Sequence, residues 1–400
     1  MRPLFGEWRL LSAVIATSFI SGTIFGVMPL VVGAVMDEFG VSHATAALAI
    51  TVEIGASALG VALFSGFTGI MNRKKVAAWA VAAFVLFGLV SMWTDEYVVL
   101  LIARACVGVA TGVITTINAS AEASAGEPDR LMSMAMVAGM GVLALLLLVL
   151  PELTPLYGID AVYGAMIALA VIFLPFYIHI PRAPRQGAPW REATLGMTRK
   201  TKGEGGAALP LLLMLVMVFI QLAESSAWAF VERKALSLDI HGARQGQLLM
   251  IVFLASIPGP LFGSLVGTRY GRTIPFMAGM VVHTIGLYMA MTASSELVLG
   301  VGLFLWSISF VLAIPYYFGA LAEIDMEGRW LSIAATVSVL CNALGPLFGG
   351  WTLDGMDDFG GLMTLTVALQ LLGLGLGLPV FLRVERVLAL RAKLPDPRIA

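Results

Sequence analysis

Apolar stretches of about 20 residues, separated by short polar turns, recur from one end of this 400-residue chain to the other. That recurrence decides the fold class. A run of this length crosses ~30 Å of hydrocarbon as a helix. Inside hydrocarbon every backbone polar group must be satisfied within the segment itself, which favours helices for such runs. Hydropathy and turn signals predict twelve spans: Leu10–Met36, Thr45–Ile70, Val76–Trp93, Tyr97–Ser120, Leu131–Leu150, Ala161–Ile180, Leu209–Phe230, Gln247–Val266, Ile274–Met291, Leu297–Leu321, Leu331–Trp351 and Leu362–Leu382. Charged residues make up 12% of the chain and hydrophobic ones 59%. Soluble domains carry about 25% charge, so no soluble fold of this size would hide so much apolar surface. The prediction is an all-α, multi-pass membrane protein, with Pro29 and Pro315 as kink sites. The basic start at Arg2 could pass for a signal peptide. However, its apolar run continues to Met36, beyond the 7–15 residues of such a segment, and reads as an uncleaved first helix.

The long polar segment Pro181–Ala208 is rich in Pro, Gly and basic residues, which is linker composition. It predicts six helices over residues 1–180, a basic linker over 181–208, and six more helices with a short tail over 209–400. Cytoplasmic loops collect Lys and Arg. With both termini cytoplasmic, only Arg233, Lys234 and Arg244 fall outside and only Arg104 within the bilayer, among 24 basic residues. The halves also repeat. Ala121-Glu122 and Arg130-Leu131-Met132-Ser133 follow the fourth span, and Ala322-Glu323 and Arg329-Trp330-Leu331-Ser332 follow the tenth. Parallel repeats of this kind mark transporters that bind substrate between them near the midplane.

Charges inside the spans are the strongest candidates for function. Arg104 sits within Tyr97–Ser120, where a buried arginine costs at least about 2.5–3.5 kcal/mol and by default lines a cavity or pairs. Gly108 and Gly112 follow at four-residue steps and share its face, which admits a close neighbouring helix. Glu53 and Arg104 lie at matching depths from the outer helix ends, counting ~1.5 Å per residue. The pair is either a proton switch, broken when Glu53 is protonated, or a permanent structural strut. In the seventh span Gln221, Glu224, Ser225 and Trp228 share one face at helical spacing. An acid beside an aromatic suits a cationic ligand. The alternative is a solvated helix end with Trp228 in the interfacial belt. Trp306, Tyr316 and Tyr317 could stack on a ligand or simply pack. The four histidines show no metal-ligand spacing, and Cys106 and Cys341 lie in apolar stretches, so neither a metal centre nor a disulfide framework is predicted. A net charge of -1 argues against nucleic acid as partner.

Three motifs carry a family resemblance. The first is Arg104-x3-Gly108-x3-Gly112. The second is the loop Ser264-Leu265-Val266-Gly267-Thr268-Arg269-Tyr270-Gly271-Arg272. Its counterpart near residue 70 keeps Gly66, Arg73, Lys74 and Lys75 but has Ile70 where an acid would stand. The third is Gly345-Pro346-Leu347-Phe348-Gly349-Gly350, in the eleventh span. With six plus six spans and the basic linker, the chain resembles the major facilitator superfamily over its whole length. The motifs resemble that family's motif B (associated with proton coupling), its motif A loops and the antiporters' motif C. Motif C belongs in the fifth helix there, so here it reads either as an antiporter mark or as a packing kink. The resemblance implies two six-helix bundles working by alternating access, with Glu53 and Arg104 for proton coupling. The residue patterns put Gln221, Glu224 and Trp228 against substrate, with Tyr316 as a further ring to stack on it, and the motifs imply Arg73, Lys74, Arg269, Gly271, Arg272, Gly345 and Pro346 for gating. The expected activity is proton-coupled efflux of a small amphipathic compound, driven by the proton gradient without a cofactor. Uptake of an organic anion on Arg104 is the rival. A bacterial inner-membrane protein, active as a monomer and not an enzyme, is expected.

Overall fold

The computed structural model describes residues 3–67, 71–122, 124–125, 128–181, 208–259, 267, 269–325, 329–356 and 359–391. The first six long helices are α1 (Pro3–Phe39), α2 (His43–Phe64), α3 (Arg73–Trp93), α4 (Tyr97–Glu122), α5 (Pro128–Tyr157) and α6 (Ile159–Phe173). The second six are α7 (Ala208–Trp228), α8 (Gly242–Ser256), α9 (Thr273–Thr292), α10 (Glu296–Ile324), α11 (Arg329–Gly355) and α12 (Phe359–Arg391). Among the described residues eleven helices are long and apolar enough to cross a membrane. The described part of α8 is shorter, and residues 260–266, the rest of the predicted eighth span, lie outside the described residues. So do residues 182–207 of the predicted linker, together with Ile70 and Thr268.

Local sequence sets several boundaries. Ser42, Asn72 and Ser295 each accept a hydrogen bond from the backbone N–H three residues on, which starts α2, α3 and α10. The predicted seventh span to Phe230 is matched to within two residues, and a turn then follows it. α7 stops at Trp228 and a six-residue elbow helix, Val231–Leu236, follows. At the other end of the chain α12 runs on past Leu382 to Arg391, so the start of the predicted tail is helical. Pro29 and Pro315 lie within continuous helices. Trp79, Trp93, Leu156 and Leu297 turn outward, as lipid-facing side chains do when the solvent is hydrocarbon.

The core is divided unevenly between the two faces of the molecule. One apolar cluster joins α1–α6 to the parts of α7–α12 away from the chain termini, from Ala227 and Phe230 to Leu303, Trp306, Ala343 and Leu362. The parts of α7, α9, α10 and α12 nearer the chain termini form a separate cluster around Leu213, Phe276, Tyr317 and Phe381. The two sets of helices are therefore fused on the face away from the termini and parted on the terminal face. Close backbone contact makes the fusion. A Cβ on Gly246 of α8 would run into the Leu148 carbonyl of α5, and one on Gly350 of α11 would meet Ala44 at the start of α2 at 2.6 Å.

Candidate substrate cavity and coupling groups

The parting leaves a cavity of about 500 Å3 between the two sets of helices. It runs from Glu122 and Met132, at the terminal-face ends of α4 and α5, inward to Phe25, Trp228 and Phe253. The predicted face of α7 lines it: Gln221, Glu224, Ser225 and Trp228 are all in the wall. Trp228 donates from its indole N–H to the Phe25 carbonyl at 2.7 Å, closing the inner end across the two sets of helices. Tyr316, predicted as a substrate residue, lies outside this wall and is buried in the core of α7, α9, α10 and α12. Trp306 also lines the cavity. Its indole N–H donates to Glu224 Oε2 at 2.5 Å, and its ring meets Trp228 edge-on, with centroids 6.4 Å apart. His283, which pattern reading passed over, lies behind Glu224 with Nε2 3.3 Å from the same oxygen.

Glu53 and Arg104 are brought together, but away from the cavity. Arg104 donates to Glu53 Oε2 from Nε at 2.8 Å and also from its terminal nitrogen. Its guanidinium carbon lies 4.2 Å from the centroid of the Tyr163 ring, a cation–π contact in a desolvated site. Both charged residues are at most 2% exposed. Glycine makes this possible: a Cβ on Gly108 or Gly112 would run into the carbonyls of Glu53 and Ser57, so α2 and α4 approach backbone to backbone.

Two polar clamps hold shut the face away from the termini. The first joins α11 to α2. Asp354 accepts from the backbone N–H and Nδ1 of His43, each at 2.9 Å, and from the Ala44 N–H at 3.0 Å. Below it Thr51 donates to the Ala343 carbonyl at 2.7 Å. The Gly345–Gly350 motif makes room for this. A Cβ on Gly345 would press on Ser225 of α7 and one on Gly349 would meet Ser226 at 2.8 Å, while Gly350 faces α2. Pro346 sits within α11. The second clamp joins the elbow helix to α1. Arg233 donates to the Gly33 carbonyl, pairs with Asp37 at 2.7 Å, and brings Nε to 3.1 Å from Glu232.

Among the residues predicted for gating on the terminal face, Lys74 and Arg272 bond to partners in their own sets of helices. Lys74 donates to the Ile178 carbonyl at 2.5 Å; Arg73 is buried and Arg269 exposed. Gly271, at φ +72°, turns the loop so that Glu385 of α12 accepts from the backbone N–H of Arg272 and Thr273, at 2.8 and 3.0 Å. Arg272 itself pairs with Glu323 of α10.

The second clamp is expected to respond to pH. Burial, aided by Asp37, pushes the Glu232 carboxyl from 4.5 up to about 7 against the opposing pull of Arg233. A carboxyl raised in the closed form binds its proton more tightly there than when hydrated. Closure is therefore favoured as pH falls through about 7 toward 4.5, and is penalised above about 7. Spin labels at Val41 and Met356 are expected to report a closed fraction that falls severalfold as pH rises through this window. Glu232→Gln should flatten that dependence.

A sequence profile described as the Major Facilitator Superfamily matches residues 13–323. The chain belongs to that family. It is thus a multi-pass membrane transporter of a small molecule and not an enzyme. A Bacillus subtilis (strain 168) relative, described as the uncharacterized MFS-type transporter YbcL, is 23% identical over 352 residues, covering 86% of this chain and 88% of its own. The inward open xylose transporter XylE from E. coli superposes with a TM-score of 0.69 at 16% identity, covering 91% of this chain and 94% of that one. A structure from work on proton dependent oligopeptide transporters gives a TM-score of 0.75 at 12% identity, covering 95% and 99%. At these identities the structural likeness is one of fold. The cavity opening on one face and the fused core on the other are the arrangement expected of a family member open to one side of the membrane.

Proposed function

We propose that this member of the family exports a small amphipathic cation in exchange for a proton, working as a monomer in a bacterial inner membrane. One observation carries the reading: the described cavity wall holds the carboxylates Glu122 and Glu224 and no Lys, Arg or His. The rest of the wall is aromatic and methionine-rich, with Phe25, Trp228, Phe253 and Trp306 toward its inner end and Met132, Met136 and Met140 along α5. Aromatic faces attract cations, and methionines adapt their shape to irregular ligands.

Exchange follows from having one deep carboxylate. A proton and a ligand cation compete for Glu224, and the cavity can close over either because each neutralises the acid. Closing over the bare carboxylate would bury an unpaired charge at high cost. With the proton gradient directed inward, competition of this kind drives the cation out. The bias of basic residues supports cytoplasmic termini, and with them a cavity mouth on the cytoplasmic side. Binding of an organic anion by Arg104 has no support here, because that side chain is sealed from the cavity and already paired with Glu53. For the same reason the exchanging proton is assigned to Glu224 rather than to Glu53.

The test is proton flux in proteoliposomes offered pooled organic cations or pooled organic anions. Cations should drive proton release. Glu224→Gln should remove a charge-assisted interaction of about 1.5–3 kcal/mol, weakening apparent affinity roughly 10- to 100-fold. Proton movement driven by the anion pool, or cation exchange unchanged in Glu224→Gln, would refute the reading.

A further inference from the structure

His283 is fully buried in α9, and the exchange described above makes no use of it. Its Nδ1 lies 3.1 Å from the Trp306 carbonyl. A carbonyl only accepts, so Nδ1 carries the hydrogen. In a neutral ring Nε2 is then a lone pair, and it faces Glu224 Oε2 at 3.3 Å without a hydrogen-bond partner. An ionised carboxylate and an imidazole lone pair repel each other. One proton between them, on either atom, turns the contact into an attraction and leaves the pair neutral overall.

The helices packed around this pair bring no other charge to it, and α11, packed on α7, carries none from Trp330 to Leu353, its titratable group there being the Cys341 thiol. α7 carries no ionisable side chain between Leu209 and Phe230 except Glu224, and α12 carries none from Phe359 to Leu382. From Leu297 to Pro315 α10 has none either, and it offers His283 the Trp306 carbonyl and the Phe310 ring, whose centroid is 5.3 Å away. Within α9 itself the other titratable group is the exposed Tyr288. The Trp306 indole N–H donates to the same Glu224 oxygen, fixing that oxygen toward the imidazole.

We propose that Glu224 and His283 together hold the exchanged proton, and that its departure frees the carboxylate to turn into the cavity toward a ligand cation. This deepens the reading of Glu224 given above and rests on it. His283 is a positioning residue that never touches the ligand. Its part is to make the proton-bound and cation-bound carboxylate two separate states.

The decisive experiment uses the full-length protein in two arms. In the first, tetraphenylphosphonium is the probe cation and its apparent Kd is measured at about pH 6 and about pH 8. Proton competition should weaken binding at the lower pH by about tenfold or more. His283→Gln, which keeps an acceptor and a donor of similar size, should cut that difference to under about threefold while leaving the alkaline Kd within about twofold. Glu224→Gln that binds as wild type at both pH values overturns the exchange reading. Glu224→Gln that loses binding, beside His283→Gln that keeps the wild-type pH dependence, overturns the paired proton site alone. The second arm needs no ligand. Nitrogen resonances of the histidine rings are followed across the same pH range, with His283 assigned by its absence in His283→Gln. The His283 signal should move with pH, and in Glu224→Gln its midpoint should shift to lower pH by the equivalent of about tenfold in proton affinity or more. A signal that ignores pH, or the same midpoint in both proteins, overturns the proposal.

Discussion

Arg104→Ala is expected to destabilise the folded protein by about 3–5 kcal/mol, because it leaves the Glu53 carboxylate buried and uncompensated. The site offers no substitute partner. Glu53 is 1% exposed, its Oε1 has no hydrogen-bond partner, and the nearby Tyr163 hydroxyl is likewise unpartnered. The cation–π contact with Tyr163 goes with the guanidinium. The paired change Glu53→Leu with Arg104→Met should instead be close to neutral, since apolar groups of similar volume remove the desolvation cost along with the attraction. The four proteins form a double-mutant cycle, measured by thermal unfolding in detergent, with a coupling of several kcal/mol expected. Additive losses would show that the pair is not a unit. Transport by the paired variant then decides between the two readings of the sequence. Proton-coupled exchange that persists makes the pair a strut, and exchange that runs without protons makes it a switch.

Asp354→Ala is expected to open the face away from the termini. The carboxylate caps the start of α2 from the other set of helices, accepting two backbone N–H groups and the His43 ring nitrogen. It thus does for α2 what an N-cap side chain ordinarily does within its own helix. Losing such a cap costs about 0.5–2 kcal/mol, and here the whole cost falls on the closed state, because the bonds cross the interface that must separate. That amounts to about 2- to 30-fold in the ratio of closed to open protein. Distances between spin labels at Val41 and Met356 should broaden toward longer values. Asp354→Asn should fall between, since an amide can accept only through its single oxygen. An unchanged distance distribution in Asp354→Ala would show that the Gly350–Ala44 contact alone holds the face closed.

Much of this was readable from residues alone, and the rest for physical reasons was not. Helix existence followed from apolar run length, because lipid leaves a chain little other choice. Equal depth in α2 and α4 foretold that Glu53 and Arg104 could meet, since depth in a membrane is set by residue count. Whether they face a cavity depends on how α2 packs against α11, and a one-helix reckoning carries no such term. The α7 face from Gln221 to Trp228 was legible as a helical stripe. Tyr316 was misplaced because its side of α10 depends on packing against α9 and α12. His283 obeys the rule that singled out Arg104, being the ionisable group of an otherwise apolar stretch, but a search for metal-ligand spacing passes over it. Its partner stands on another helix, and no spacing joins them. Asp354 lies beyond the predicted eleventh span, and only the fold brings the start of α2 to it.

The sealed Glu53–Arg104 pair also bears on how the membrane potential acts on this protein. One elementary charge carried across the bilayer is worth about 2.3 kcal/mol per 100 mV. A lone arginine at that depth would tie the rocking of its helices to voltage. The pair crosses the field with no net charge. A monovalent cation exchanged for one proton at Glu224 also leaves no net charge behind. On the proposed one-for-one exchange the cycle is electroneutral, and the difference in pH across the membrane, rather than the electrical potential, sets its direction and its reach.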